Sequence, residues 1–230
     1  MTDTDKLTVE QLCGMIDHTL LKAYATEDDL RKLCDEARDS HFAMVAINSY
    51  PVSFCTSLLK GTDIHVGAAI SFPLGQTTIE TKCFETMDAI RNGADEIDYV
   101  VNIAKVKMHD YDYIRKEMEE IVKICRENNK IVKVIFENCY LDKEEIRQLA
   151  LIAREVKPDF IKTSTGFGTS GAMVEDVRLM KETVGDEVKV KAAGGIRDWK
   201  TCREMIEAGA ERIGTSSSVK IIEEFRKDRS

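Results

Sequence analysis

Short apolar runs alternate with longer amphipathic stretches along the chain, and this alternation is its clearest structural signal. The short runs are rich in Val, Ile, Phe and Tyr, which favour β-strands. We predict strands at Ile16–Leu20, Phe42–Ile47, Ile64–Ile70, Glu96–Val101, Ile131–Phe136, Phe160–Thr163, Val188–Ala192 and Arg212–Gly214.

The stretches between these runs have helical periodicity. After Thr26, Leu30 and Leu33 fall on one face of a helix and charged residues fall on the other. Asp142 and Asp198 stand where a strand passes into a helix and are typical N-cap residues. We predict helices from Thr26 to about residue 40 and at about 52–60, 76–92, 110–128, 142–156, 172–183, 198–208 and 217–226.

Strands that alternate with helices indicate a parallel sheet. Eight strands and eight helices in 230 residues predict an α/β fold, a single (β/α)8 TIM barrel that forms one domain over residues 1–230. A doubly wound open sheet is the alternative, although no Gly-x-Gly-x-x-Gly fingerprint follows the first strand. In a barrel, the functional site lies at the C-terminal ends of the strands.

Composition narrows the functional classes. The net charge of −8 argues against a nucleic-acid partner, and no apolar run is long enough to span a membrane. Seven cysteines, with no Cys-x-x-Cys pair and no apolar signal region at the N-terminus, favour reduced thiols and a cytoplasmic protein. The four histidines are isolated and lack metal-ligand spacing, so no metal or other cofactor is expected.

Two lysines at the ends of predicted strands are the main candidates for chemistry. Lys162 ends the sixth strand and Lys191 the seventh, and small residues and glycines follow both. Two ammonium groups about 6 Å apart, at an effective dielectric near 20, repel by roughly 3 kcal/mol, which would lower one pKa from near 10.4 to about 8. The resulting neutral amine could attack a carbonyl. Lys189 has the same parity as Lys191 and is a competing candidate.

Carboxylates with inward parity are candidates to partner these lysines. Asp98, which shares a strand face with Glu96, could hold a lysine in place or move a proton, or it could form only a structural ion pair. Asp17 is a similar candidate. Lys133 and Glu137 share parity on the fifth strand and could form an internal salt bridge or support the reacting residues.

Three glycine-rich stretches end late strands of the predicted barrel: 166–168, 194–195 and 214–218. Phosphate sites in barrels often use the loops after strands seven and eight together with a helix N-terminus. The last two stretches occupy these positions, so the sequence predicts an anion site there.

At this point the motifs resemble those of the deoxyribose-phosphate aldolase family. The resemblance covers nearly the whole chain and rests on the segments Ile16–Leu21, Ser71–Gly75, Gly93–Asp98, Lys133–Ile135, Phe160–Phe167, Lys191–Arg197 and Arg212–Ser217. It implies a barrel enzyme that reversibly cleaves 2-deoxy-D-ribose 5-phosphate to D-glyceraldehyde 3-phosphate and acetaldehyde through a lysine Schiff base.

The resemblance also implies roles for individual residues. Lys162 would form the Schiff base, Lys191 would lower its pKa, and Asp98 would exchange protons with the help of Lys191 and a water molecule. The positions that match phosphate-holding residues are Gly166, Gly195, Ser216 and Ser217. Asp17 and Thr19 match residues that line the site.

Two segments depart from the family pattern. Many members have a cysteine and an Asn-Pro step after the second strand, where this chain has Ala46–Pro51, so the acceptor side of the site could differ. Some members end in a tail with a tyrosine, whereas this chain has no tyrosine after Tyr140.

Two other functions stay open from the sequence: a different phosphosugar enzyme on the same barrel, such as a transaldolase or an isomerase-like synthase, and a non-catalytic barrel that binds a phosphate ligand. The expected partner is a small phosphosugar. A homodimer is also an expectation, although no interface stripe is readable.

Overall fold

The computed structural model describes residues 3–229, which form a closed barrel of eight parallel strands. Each strand pairs with the next, and the last strand pairs with the first. The barrel prediction is therefore confirmed, and the open sheet is wrong. The strands are Ile16–Leu20 (β1), Met44–Asn48 (β2), His65–Ile70 (β3), Glu96–Val100 (β4), Ile131–Ile135 (β5), Phe160–Lys162 (β6), Lys189–Ala193 (β7) and Arg212–Thr215 (β8).

Ten α-helices and two short 3-10 helices, Thr4–Lys6 and Asn138–Tyr140, lie within the described residues. The α-helices are Val9–Cys13 (α1), Glu27–Ser40 (α2), Val52–Leu58 (α3), Ile79–Arg91 (α4), Ile103–Lys107 (α5), Tyr111–Glu127 (α6), Lys143–Val156 (α7), Val174–Val184 (α8), Trp199–Glu207 (α9) and Ser218–Asp228 (α10). Helices α1 and α5 were not predicted, because five residues are too few to show a helical period.

Side-chain caps set where several helices begin. Thr26 caps α2 and Asp142 caps α7, each in a reciprocal capping box with the third residue of its helix. Asp198 accepts a hydrogen bond from the Thr201 amide, 2.8 Å away, at the start of α9. All three caps agree with the sequence signals and define how the chain leaves the barrel.

The apolar core lies between the sheet and the surrounding helices. Ile97, Val134 and Val190, which point outward from their strands, belong to this core. Side chains alternate along a strand, so Glu96 and Asp98 point into the barrel instead. The barrel interior is therefore partly filled with charged side chains, and these extend to its C-terminal end.

Candidate active site

A cavity of about 210 Å³ opens at the C-terminal end of the barrel. It is lined by the ends of four strands and the loops that follow them: β1, β6, β7 and β8. Three lining residues are cationic, Lys22, Lys162 and Arg197, and no acidic side chain from the described part of the chain is among them. Because the protein as a whole is acidic, this local excess of positive charge favours an anionic ligand.

Lys162 lies at the base of this cavity. Its side chain is buried, 4% exposed as a residue, and its Nζ donates a hydrogen bond to Oδ2 of Asp98 at 2.9 Å. Burial lowers the pKa of Lys162 to about 8; Asp98 opposes this shift and the charge of Lys191 adds to it. The pKa anticipated from the sequence is thus matched, but burial is its main cause, and repulsion by Lys191 is secondary.

Lys191 is in direct register with Lys162 on the neighbouring strand. Its Nζ donates to the same oxygen of Asp98 at 2.8 Å and lies 2.5 Å from Oδ2 of Asp17. Lys191 is fully buried and lies beneath the cavity surface. Oδ2 of Asp98 therefore accepts hydrogen bonds from both lysines. The sequence predicted that these two lysines would lie close together at one site.

Asp98 is the centre of the buried network. Besides the two amines at Oδ2, its Oδ1 accepts a hydrogen bond from Lys133 at 2.8 Å. Burial alone would raise the pKa of Asp98, but the charges of Lys133, Lys162 and Lys191 together hold that pKa well below its usual range. Asp98 is therefore an anion at neutral pH.

Below this level, the barrel interior contains a second set of ion pairs. Lys133 donates to Glu96 and Asp98, and Arg212 donates to Asp17 at 2.6 Å. Burial disfavours the charge of Lys133, but Asp98, Glu96 and Asp17 outweigh it and raise its pKa. Lys133 is thus a structural cation, because a lysine with a raised pKa stays protonated and is not a nucleophile.

Of the two alternatives left open for Lys133 and Glu137, the internal salt bridge between them does not form. Strand β5 ends at Ile135, and Glu137 adopts a left-handed conformation with φ 58°, so strand parity does not extend to it. Its carboxylate bonds Thr165 instead. Asp17 is also placed differently from the expectation, because it is fully buried beneath the site and does not line the cavity, whereas Thr19 does.

The buried network holds more cations than carboxylates. The network contains three carboxylates, Asp17, Glu96 and Asp98. The cations are Lys133, Lys162, Lys191 and Arg212, one more than the carboxylates. His65 also bonds Glu96, at 2.7 Å, and Glu96 raises the pKa of His65. The excess of positive charge favours loss of a proton from one of the buried cations, and Lys162 is the lysine of the network whose pKa is lowered.

Lys189, the competing candidate, is exposed at the opposite end of β7. Its Nζ lies 5.6 Å from the centre of the Phe160 ring, below the level of the network. The structure therefore separates Lys189 from the cavity.

Backbone amides at the other end of the cavity are free to bind an anion. The amides of Gly166, Gly195 and Ser216 donate no hydrogen bond within residues 3–229. Helix α10 begins next to them, and its N-cap residue Ser217 makes no side-chain cap. Of the four predicted phosphate-holding residues, Gly166, Gly195 and Ser216 line the cavity and Ser217 does not. The Ser217 amide donates to the Thr215 hydroxyl at 2.9 Å.

Two cations at the cavity rim were not predicted as site residues from the sequence. Lys22 and Arg197 are exposed and form no salt bridge with any residue in the described range. Exposed Lys and Arg residues are common, so only their position at the cavity marks them. Their charges extend the positive field of the cavity to its mouth.

A second cavity of about 640 Å³ adjoins the first and shares Leu20–Lys22 and Phe167 with it. The segment that departs from the family pattern lies here: Asn48, Tyr50 and Pro51 line this cavity, and Tyr50 is 95% exposed. The departure therefore changes the wall beside the site and leaves the lysine network untouched.

A parallel barrel with a buried, partly deprotonated amine at the C-terminal ends of its strands has the equipment of an enzyme that acts on carbonyl compounds. The family model for DeoC/LacD aldolases matches residues 12–221. The chain belongs to this aldolase family and is a lyase.

Relatives and solved structures agree with this assignment. The chain is 63% identical to deoxyribose-phosphate aldolase of Lactobacillus acidophilus, over 96% of this chain and 93% of the relative, and 53% identical to that of Bacteroides thetaiotaomicron, over 96% and 93%. A crystal structure of a putative deoxyribose-phosphate aldolase from Coccidioides immitis superposes with a TM-score of 0.91 at 35% identity, covering 96% of this chain and 87% of the other. The tetrameric deoxyribose phosphate aldolase of Aeropyrum pernix superposes with a TM-score of 0.90 at 33% identity, covering 96% and 94%.

Family membership decides between the functions that the sequence left open. The similar relatives are named deoxyribose-phosphate aldolases, so the non-catalytic barrel, the transaldolase and the isomerase-like synthase are not supported. Hexulose-6-phosphate synthase also superposes, with a TM-score of 0.64, but at 16% identity this likeness shows the barrel fold alone.

Proposed function

We propose that this aldolase reversibly cleaves 2-deoxy-D-ribose 5-phosphate to D-glyceraldehyde 3-phosphate and acetaldehyde, with Lys162 as the Schiff-base residue. The observation that carries the proposal is the buried Lys162 amine, with a pKa near 8, at the base of a cavity with free amides at its other end. The names of the relatives supply the substrate.

In the cleavage direction, the neutral amine of Lys162 attacks C1 of the open-chain sugar to form a carbinolamine. Its hydroxyl takes up a proton and leaves as water, which gives a protonated imine. A base removes the proton of the 3-hydroxyl, and the C2–C3 bond breaks. Its electron pair moves into the imine to form an enamine, and glyceraldehyde 3-phosphate leaves. Protonation of the enamine carbon and hydrolysis of the imine then release acetaldehyde and restore Lys162.

Asp98 and Lys191 support these proton transfers. Asp98 contacts the Lys162 amine directly, so it is placed to orient that amine and to relay protons through a water molecule that enters with the substrate. Lys191 holds the same carboxylate oxygen and keeps positive charge next to Lys162. That charge favours the unprotonated form of the attacking amine.

The phosphate binds at the amide-rich end of the cavity. The amides of Gly166, Gly195 and Ser216, which line the cavity, are the donors in this proposal. The hydroxyl of Ser217, the N-cap residue of α10, and the positive end of the α10 dipole add to them. The rim cations Lys22 and Arg197 supply further charge. This arrangement orients the sugar so that its carbonyl end reaches Lys162.

Reductive trapping tests the proposal. Borohydride added with acetaldehyde should attach one ethyl group to Lys162, which peptide mass spectrometry locates. Lys162→Ala should abolish both trapping and cleavage, whereas Lys189→Ala, on the opposite end of the barrel, should retain both. Full activity of Lys162→Ala, or an ethyl group only on other lysines, would refute the assignment.

We also propose a cytoplasmic location and a homodimer. All seven cysteines are free, as suits a reducing compartment. Within the described residues, none of the helices combines the length and apolar character that a membrane crossing needs.

Light scattering after size-exclusion chromatography tests the dimer, and a tetramer like that described for the Aeropyrum pernix protein would contradict it.

A further inference from the structure

Glu137 is a buried carboxylate that the proposed chemistry does not use. It follows β5, is 1% exposed and has φ 58°, a left-handed conformation that costs a non-glycine residue roughly 1–2 kcal/mol. It forms no salt bridge with any residue between 3 and 229. Both the strained backbone and the buried charge need a compensating interaction.

Thr165, in the loop after β6, supplies that interaction. The Glu137 carboxylate accepts hydrogen bonds from the Thr165 amide at 3.1 Å and from the Thr165 hydroxyl. That hydroxyl has a single proton, which it donates to Glu137, so its lone pairs are free to accept the Phe167 amide at 3.0 Å. Gly166, between the two bonded residues, is thereby held at φ 88° and lines the cavity with its amide free.

The strands themselves do not depend on this carboxylate. The Phe136 amide donates to the Lys162 carbonyl at 3.0 Å, and the Asn138 amide donates to the Thr163 carbonyl at 2.9 Å. These backbone bonds lie on either side of Glu137 and join the ends of β5 and β6. Lys162 is held by Asp98. Loss of the Glu137 carboxylate should therefore loosen the loop around Gly166 and leave the amine in place.

We infer that Glu137 is a positioning residue that fixes the Thr165–Phe167 turn, so that the Gly166 amide faces the phosphate of the substrate. This inference rests on the proposed function, because it assumes a phosphate at the amide-rich end of the cavity. Glu137 acts through Thr165 and Gly166 and does not touch the reacting carbons. Its effect is on selection of the phosphorylated sugar.

Glu137→Gln separates this role from a purely structural one. Glutamine has nearly the same size and can accept one of the two Thr165 hydrogen bonds, but its NH₂ group cannot accept the other. The ratio of kcat/KM for 2-deoxyribose 5-phosphate to kcat/KM for 2-deoxyribose should fall about tenfold, mainly through KM for the phosphorylated sugar. Trapping of Lys162 by acetaldehyde and borohydride at about pH 9, where the amine is mostly unprotonated, should change less than about twofold.

Glu145→Gln is the control for loss of a buried carboxylate outside the site; unlike Glu137, Glu145 also pairs with Lys107 at 2.7 Å. Glu145 is also a buried carboxylate that accepts a backbone amide, that of Asp142 at 2.8 Å, but it lies on α7 outside both cavities. This control should leave the ratio for the two sugars unchanged. If Glu137→Gln does not fold, Thr165→Val removes the same hydroxyl bond and should lower the ratio, and Thr165→Ser should restore it.

The outcomes distinguish the two proposals. Equal losses on both sugars, or an unchanged ratio in Glu137→Gln and Thr165→Val, would overturn the role of Glu137. Failure of acetaldehyde to trap Lys162 in the unaltered protein would instead overturn the proposed function, whatever the variants show.

Discussion

At the scale of single residues, burial decides how the barrel lysines behave. Lys133 and Lys162 are both buried, but two close carboxylates surround Lys133 and a single carboxylate, shared with other amines, contacts Lys162. The pKa of Lys133 is raised and that of Lys162 is lowered. Lys133 on β5 is thus a permanent cation, whereas Lys162 on the neighbouring β6 is an amine that can react.

The Lys162 pKa predicts the pH dependence of activity. A lysine is a nucleophile only when unprotonated, and the pKa of Lys162 is about 8. The value of kcat/KM should therefore rise about tenfold per pH unit below that pKa and level off above it. A pH–rate profile measures this, and a flat profile from about pH 6 to 9 would contradict it.

Lys191→Met should move that profile to higher pH. The positive charge of Lys191 lowers the pKa of Lys162, so its removal should raise that pKa. Burial remains in the variant, and therefore the pKa should stay below the ordinary value for lysine. The acidic limb of kcat/KM against pH reports the shift. Lys189→Met is the control, since its amine is exposed at the other end of the strand and the limb should not move.

At the scale of elements, the sequence predicted the main strands and helices well because each has a clear period. Strand parity also predicted that Glu96 and Asp98 would share the interior. Parity failed at Glu137, since it was extended past the predicted strand end at Phe136, whereas β5 ends at Ile135 and Glu137 is left-handed. Arg212 as an interior partner of Asp17 and Glu96 was also missed, because these contacts join β8 to its neighbour β1 and, across the barrel, to β4.

A buried ion pair between helices α4 and α6 predicts a large stability effect. Lys82 and Glu117 are fully buried and 2.7 Å apart; Lys82 also donates to the Val100 carbonyl, and Glu117 accepts the Asn102 amide. Lys82→Met leaves the Glu117 carboxylate without its cation, which should cost about 3–5 kcal/mol in the free energy of unfolding. Urea denaturation measures this loss.

Two further variants complete that test. The double variant Lys82→Met/Glu117→Leu should recover part of the loss, since no unpaired charge remains in the core. Arg115→Met breaks an exposed pair with Glu155 on the neighbouring helix and should cost less than about 1 kcal/mol. A similar small loss in Lys82→Met would show that the buried pair contributes little.

At the scale of the whole molecule, the interior network ties the stability of the barrel to acid. Charges on neighbouring cations hold the pKa values of Asp98 and Glu96 below their usual range, against the effect of burial. A carboxyl group with a lowered pKa in the folded state stabilises that state above its unfolded pKa, near 4, and this contribution is lost as the pH falls further.

Denaturant unfolding at several pH values checks this prediction. The free energy of unfolding should change little from these groups between about pH 7 and 5 and should drop by roughly 2 kcal/mol or more between about pH 5 and 3. Constant stability over that acidic range would mean that the interior carboxylates are not held by the cations around them.

The single oxygen of Asp98 that binds both Lys162 and Lys191 has a consequence for repeated turnover. In the Schiff base that we propose for Lys162, its nitrogen has fewer hydrogens to donate. Lys191 still donates to the same oxygen, so the Asp98 carboxylate keeps a hydrogen-bond donor. A buried charge without such a partner would be costly. The contact between Lys191 and Asp98 can therefore persist through each turnover, and the buried network does not have to rearrange when Lys162 reacts.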